Sequence, residues 1–271
     1  MSEWNAMTYE GKDTILRVVN DEAQRFFRLA EPREAWEAPT ACENWTTRDA
    51  VGHIVDTTEG YFAAFDAARG TGEQGQVYGL PAMAERANSQ AIAFRDLPQD
   101  ELLDRLRTDQ QKMTGLLESL SPQDWTGLMV THPYMGPVPA FFYAAGQLMD
   151  YGVHSWDIRE GTGRAHALSA DAADLLVPFM FALWQGTVRP ERDTSPLQVG
   201  IRVSGRNAAD YRVTIDENGL SYEPGDVDNL PAVLEFDPAS LVLTTFGRAN
   251  TGTVRGDQET ADRYLNAFFR I

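Results

Sequence analysis

TTRDAVGHIVDTTEGYFAAF, residues 46–65, is the stretch on which the fold turns. Val51, Ile54, Val55, Thr58, Phe62 and Phe65 recur at i, i+3, i+4, i+7, i+11 and i+14, the spacing of one apolar face of a bundle helix. Thr46 and Asp49 stand where a Thr-x-x-Asp helix start belongs, and Asp49 also suits the positive end of the helix dipole. The same run carries His53. At about 100° per residue, His53 points well away from the centre of the apolar stripe.

Outward from this helix, the first half of the chain reads as more helices. Residues 8–29 carry Ile15, Val18, Val19, Phe26 and Leu29 at mixed three- and four-residue spacing. A Trp/Pro loop, residues 36–45, precedes the central stretch. After a Gly-rich break ending at Gly79-Leu80-Pro81, helices are expected over 82–94 and on a stripe of Leu102, Leu106, Met113, Leu116, Leu117 and Leu120. Residues 121–137 are rich in proline and read as loop. A further helix is expected over 138–159, with Pro139 in its first turn and a stripe of Val138, Phe141, Phe142, Ala145, Met149, Gly152 and Trp156. Its aromatic residues read as core. Gly161-Thr162-Gly163 ends it.

The expected architecture is multidomain: an all-α bundle of four long helices over residues 1–163, then an α+β domain over 164–271. In the second part Ser169 caps a helix over 170–185. Apolar residues then alternate in Val199–Val203, Tyr211–Ile215 and Ala232–Phe236, as in strands with one buried face. Asp216-Glu-Asn-Gly219 reads as a turn before another short strand. A helix over 238–246, a strand near Val254 and a helix over 258–269 follow.

With 23 basic and 40 acidic side chains the formal charge is −17. That field repels nucleic-acid phosphates and anionic membranes, and no Lys/Arg cluster offsets it. No apolar run approaches the length of a membrane span, and no secretory signal is visible at the start. Cys42 is the single cysteine, so an internal disulfide is excluded and the expected compartment is the reducing cytoplasm. Partners are expected among small molecules. Oligomeric state is left open.

Metal chemistry without cysteine clusters must draw on four histidines, His53, His132, His154 and His166, together with carboxylates. In Asp150-Tyr-Gly-Val-His154-Ser-Trp-Asp157, Asp150 and His154 share a helix face and could clasp one ion. Asp157, a turn further on, could orient the His154 ring. The same spacing also describes a plain solvated pair. On the helical wheel Asp150 and His154, like His53, lie off the centre of their apolar stripe, and so face either solvent or a polar cleft. His132 and His166 read as loop residues. Cys42, in its Trp/Pro loop, reads as packed rather than reactive.

Trp36-x-x-Pro39-Thr40-x-Cys42-x-x-Trp45-Thr46-x-Arg48-Asp49-x-Val51-x-His53 and Asp150-x-x-Val153-His154-x-Trp156-Asp157 together resemble the mycothiol-dependent maleylpyruvate isomerase family. Gly247-Arg248, Val254-x-Gly256-Asp257 and the closing residues 265–271 resemble that family's C-terminal signature. The resemblance implies a DinB-like four-helix bundle joined to a domain similar to sterol carrier proteins. It implies a divalent metal, usually zinc, on His53, Asp150 and His154, with mycothiol as thiol cosubstrate. The family pattern is Glu-x-x-x-His; here the acid is Asp150, one methylene shorter. Three protein ligands leave a fourth zinc position open, where a thiol is held as thiolate, the better nucleophile. The implied reaction is cis–trans isomerisation of a maleylpyruvate-like substrate, or S-transfer to another small electrophile. Arg86 roughly matches a catalytic arginine of the family and is the candidate cation for a substrate carboxylate, ahead of Arg95 and Arg159. Gly247-Arg248-Ala249-Asn250 reads as a turn, with a contribution to the site as the alternative. The competing readings are a non-enzymatic ligand carrier with a degenerate metal site, and a metal-dependent hydrolase.

Overall fold

The computed structural model describes residues 2–164, 167–189 and 195–269. His166 lies outside them. The chain divides into two compact units, Met1–Ala172 and Ala173–Ile271.

The first unit is helical. Its long helices are α1 (Lys12–Ala30), α3 (Thr47–Ala68), α5 (Gln99–Glu118) and α7 (Phe141–Gly161), with the shorter α2 (Arg33–Trp36), α4 (Met83–Ile92) and α6 (Pro122–Gly127) between them. α1 packs on α7 and α5, and α3 packs on α5 and α7, which makes a four-helix bundle. All six stripe residues of α3 are buried. α3 opens as its sequence requires: the Thr46 backbone N–H and hydroxyl both donate to Asp49 Oδ2, at 2.8 and 3.0 Å. Asp49 is fully buried. Its charge is met by Arg95, whose Nε and Nη2 donate to the two carboxylate oxygens at 2.7 and 2.9 Å. Arg95, weighed above for a substrate carboxylate, is therefore committed to the start of α3.

One expectation fails here. Residues 121–137 are not mostly loop. They hold α6, strand β1 (Met129–His132) and the start of strand β2 (Gly136–Pro139), paired as an antiparallel hairpin with Val130 opposite Val138. The prolines hid it, but they fall at alternate positions. Ala140 N–H donates to Leu128 C=O, so the hydrogen-bonded pairs are 128/140, 130/138 and 132/136. Pro137 and Pro139 sit between them, where no donor is needed. α7 accordingly starts at Phe141, with Val138 and Pro139 in the hairpin. The helical wheel of α7 left solvent and cleft open for Asp150 and His154. This helix is buried on nearly every face, so an apolar stripe does not single out its core side. Phe141 and Trp156 are buried as expected, and Phe142 is half-buried.

The second unit carries α8 (Ala170–Thr187), which begins at the division, and a five-stranded mixed sheet. Its strands are β3 (Leu197–Val203), β4 (Ala209–Asp216), β5 (Gly219–Pro224), β6 (Ala232–Phe236) and β7 (Thr253–Gly256), in the order β5-β4-β3-β6-β7. β3 and β6 run parallel and the other pairs antiparallel. α9 (Pro238–Thr245) joins β6 to β7, and α10 (Gln258–Leu265) follows β7. Trp184 of α8 packs on Tyr264 and Phe268. Gly247 closes α9 with φ 65°, the left-handed cap that only glycine takes freely, so Gly247–Asn250 begins as a turn. No helix among the described residues is long and apolar enough to cross a membrane.

Arg95→Ala strands a buried carboxylate at the head of α3. We expect it to cost about 1–3 kcal/mol in urea denaturation at pH 7, less than a fully buried pair would, because the Arg95 side chain is 46% exposed. Burial opposes ionisation of Asp49, but the bonds from Arg95 and Thr46 outweigh it and hold its carboxyl below the usual range. The stabilisation is thus complete above the unfolded carboxylate pKa of about 4 and fades as pH falls through the lower folded value. The gap between wild type and variant should narrow in the same direction; a gap independent of pH would contradict this account.

Candidate functional site

α3 and α7 run antiparallel, which the pairwise contacts show in order. His53 lies against Asp150, Thr58 against Gln147, Tyr61 against Gly146, and Phe65 against Tyr143. The polar member of this ladder is Gln147, whose amide donates to the Thr58 hydroxyl at 3.0 Å with both side chains buried. One turn along each helix, His53 Nε2 stands 3.7 Å from Asp150 Oδ1. The next turn of α7 brings in His154, whose ring centroid is 5.1 Å from that of His53 at 85°.

The ligating atoms of His53, Asp150 and His154 all lie within 4.8 Å of one another. Two atoms held at zinc distances of about 2.0–2.2 Å from one ion span at most ~4.4 Å, so the three need only a small contraction to share one. Two imidazoles and a carboxylate are a donor set that zinc takes. Asp150 Oδ2 is buried and has no hydrogen-bond partner among the described residues, which is costly for a carboxylate unless something else meets it. The residues therefore fit a divalent cation, and the shorter acid does reach the two histidines.

His154 is held from behind. Its Nδ1 is 2.9 Å from Asp157 Oδ2, and Asp157 is fully buried. With Nδ1–H donating to that carboxylate, Nε2 carries the lone pair. Burial pushes the imidazolium pKa of His154 down, against the bond to Asp157 and the charges of Asp157 and Asp150, which raise it. A neutral ring is the form that binds metal.

Asp157 also collects the loop before α3. Cys42 Sγ donates to Asp157 Oδ2 at 3.1 Å, and Ala41 N–H donates to the Asp157 carbonyl at 2.9 Å. Cys42 is half-buried, and its sulfur faces His154 Nδ1 at 3.9 Å, the side of the ring turned away from Nε2. Cys42, His154 and Asp157 thus form a second cluster of ligating type, which the sequence did not reveal because it needs this loop folded back on α7. Gly161 allows the approach: a Cβ there would stand 2.2 Å from the Pro39 carbonyl oxygen. The loop also lays Trp45 beside both histidines, with ring centroids 5.1 Å from His53 and 5.7 Å from His154.

His53 and Asp150 open onto a cavity of about 410 Å³. Its wall includes Arg86, Tyr78, Tyr61, Tyr134 and His132. Arg86 comes from α4 and its guanidinium lies 3.7 Å over the Tyr78 ring. It thus shares the cavity with His53 and Asp150. Arg159 does not line it, and Arg95 is used elsewhere. His132 is the lining residue missed in the sequence. It ends β1 rather than lying in a loop, and burial holds its imidazolium pKa down to about 4, with the Asp150 charge pulling weakly the other way.

Residues 17–159 match the family model described as the mycothiol maleylpyruvate isomerase N-terminal domain. The chain belongs to that family. Two solved structures share the fold over nearly the whole chain. The mycothiol-dependent maleylpyruvate isomerase is 13% identical with a TM-score of 0.58, covering 89% of this chain and 91% of that one. A histidine-to-alanine mutant of the mycothiol-dependent maleylpyruvate isomerase is 12% identical with a TM-score of 0.57, covering 90% and 92%. At this identity the likeness concerns the fold, and it spans both the helical bundle and the mixed sheet. No curated protein matches by sequence.

The Thr58–Gln147 bond offers a check on the α3–α7 register. Thr58→Val leaves the buried Gln147 amide without that acceptor, and we expect a loss of about 1–3 kcal/mol in chemical denaturation. Retained stability would mean that the register rests on the apolar contacts alone.

Proposed function

We propose that this protein is a divalent-cation-dependent enzyme that uses a low-molecular-weight thiol, of the mycothiol type, on a small unsaturated carboxylate. The observation that carries the reading is the cluster of His53, Asp150 and His154, two of whose members, His53 and Asp150, line the cavity that Arg86 also lines. Family membership supports the thiol and the isomerase class.

His53, Asp150 and His154 would hold the cation, with zinc the expected ion. When bound, it would supply the Lewis acidity that keeps a thiol as thiolate at neutral pH. The chain's own residues do the rest. Asp157 keeps the His154 proton on Nδ1 and so keeps Nε2 free for the ion. Trp45 covers the two imidazoles on one side. Arg86, stacked on Tyr78, binds a substrate carboxylate from across the cavity; that pairing suits a planar acid. The single cysteine, Cys42, is not the nucleophile, because its thiol is bonded to Asp157 behind His154. Addition of the external thiolate to a cis double bond leaves a single bond that can rotate, and its departure returns the thiol and the trans isomer. With an electrophile from which sulfur does not leave, the same site would give S-transfer.

Metal analysis and turnover assays test this together. Purified wild type should carry stoichiometric zinc, His53→Ala and His154→Ala should lose it, and Asp157→Asn should weaken it by roughly 10–100-fold. Turnover of a maleylpyruvate-like acid should need added mycothiol and fall with Arg86→Ala. Wild type that binds no metal, or that turns over equally well without thiol, would end this reading.

A further inference from the structure

His132 lines the same cavity as His53, Asp150 and Arg86. Its ring is fixed by the hairpin that it ends. The backbone N–H groups of Tyr134 and Met135 both donate to Nδ1, at 3.2 and 3.3 Å. An imidazole nitrogen that accepts two N–H groups carries the lone pair, so the ring proton is on Nε2. Gly136, with φ 74°, completes this tight turn opposite His132. Tyr61, Tyr134 and Tyr143 stand around the ring at centroid distances of 5.9, 5.8 and 6.0 Å. Both hydrogen bonds given for His132 among the described residues are received at Nδ1. The turn is tied to the Arg86 side of the cavity, because Tyr78 N–H donates to the Pro133 carbonyl at 2.7 Å and Arg86 lies over the Tyr78 ring.

We propose that His132 is a substrate-contacting residue whose Nε2–H donates to the carbonyl oxygen of an acid with its double bond conjugated to that carbonyl. This rests on the proposed thiol reaction and names the acceptor it takes. When sulfur bonds to the β-carbon, the C=C π pair moves to form an enolate, and the negative charge passes from sulfur to the carbonyl oxygen. His132 donates a hydrogen bond to that oxygen without giving up its proton, because a neutral imidazole is a far weaker acid than imidazolium. After rotation about the new single bond the enolate re-forms its C=O, the C–S bond breaks, and thiolate departs. No proton is consumed. The unprotonated enolate can therefore collapse to the isomer instead of being trapped as a saturated thioether.

Two substitutions separate the turn from the donor. Asn at this position can accept from the Tyr134 and Met135 N–H groups through Oδ1, as in an Asx turn, but it is too short to replace Nε2–H. Gln places an amide N–H near the position of Nε2 and gives up the Nδ1 acceptor. The probe is 2-oxoglutarate, a keto dicarboxylate with no double bond, titrated calorimetrically into zinc-loaded and metal-stripped protein. In both forms His132→Asn should keep the wild-type melting temperature and bind at least about tenfold more weakly, the loss expected for a hydrogen bond to a charged ligand. His132→Gln should recover most of the affinity while melting lower. Unchanged binding by a folded His132→Asn variant overturns the assignment, as does wild type that does not bind the probe at all. Should either variant fail to fold, nitrogen-15 NMR of the wild-type imidazole decides: a proton on Nδ1 overturns it, and an Nε2–H resonance that shifts with the probe upholds it. If the binding pattern holds while turnover proves independent of thiol, the thiol reading fails and His132 stands as the ligand contact.

Discussion

The antiparallel packing of α3 on α7 is the constraint on which the rest depends. His53 is supplied by one helix, and Asp150 and His154 by the other, and they meet only in the observed register. A slide of one turn, about 5.4 Å, would carry His53 past its partners. Close-packed helices do not occupy intermediate positions. Thr58 with Gln147, Tyr61 with Gly146, and Phe65 with Tyr143 are contacts of that one register. The first is polar and buried, so it penalises slippage more steeply than apolar contacts do.

α7 serves two neighbours at once. Tyr151 meets Phe26 and Phe27 of α1, while Asp150 and His154 turn to α3. This explains why the helix is buried almost all round. His154 leans on Asp157, and Asp157 receives the Cys42 thiol and, at its carbonyl, the Ala41 amide. The loop before α3 therefore closes the back of the cluster, and the hairpin of β1 and β2 walls its cavity. Burial sets the electrostatics at both ends. It pushes the imidazolium pKa values of His132 and His154 down and the Tyr61 phenol well above its ordinary range, where the Asp150 charge adds to the effect.

Much of the architecture was legible because it repeats. The α3 stripe, its Thr46/Asp49 start and the alternating strands of the second unit are local patterns, and each became the element it announced. The Asp150–His154 spacing put two donors on one helix face, and Asp157 stood one turn on, where it meets His154. The wheel of α7 could not choose between solvent and cleft because amphipathicity marks a core only for a helix with a solvent side. The hairpin of β1 and β2 was hidden because proline content was read without its parity. His132 had a signal in Thr131-His-Pro-Tyr-Met-Gly136, a side-chain acceptor followed by two backbone donors and a glycine turn, but that signal speaks of the turn and not of the cavity.

By itself the sequence determined the long helices of the first unit and the strands of the second, which face of α3 is apolar, and which donors share a turn of α7. These follow from steric and hydrophobic preferences acting over a few residues. Only the tertiary structure decided that His53 joins Asp150 and His154, that Cys42 falls behind the ring instead of before it, and that Arg86 and His132 open onto one cavity. Those are meetings between residues far apart in the chain. Their distances depend on helix register and loop closure, which no local pattern encodes.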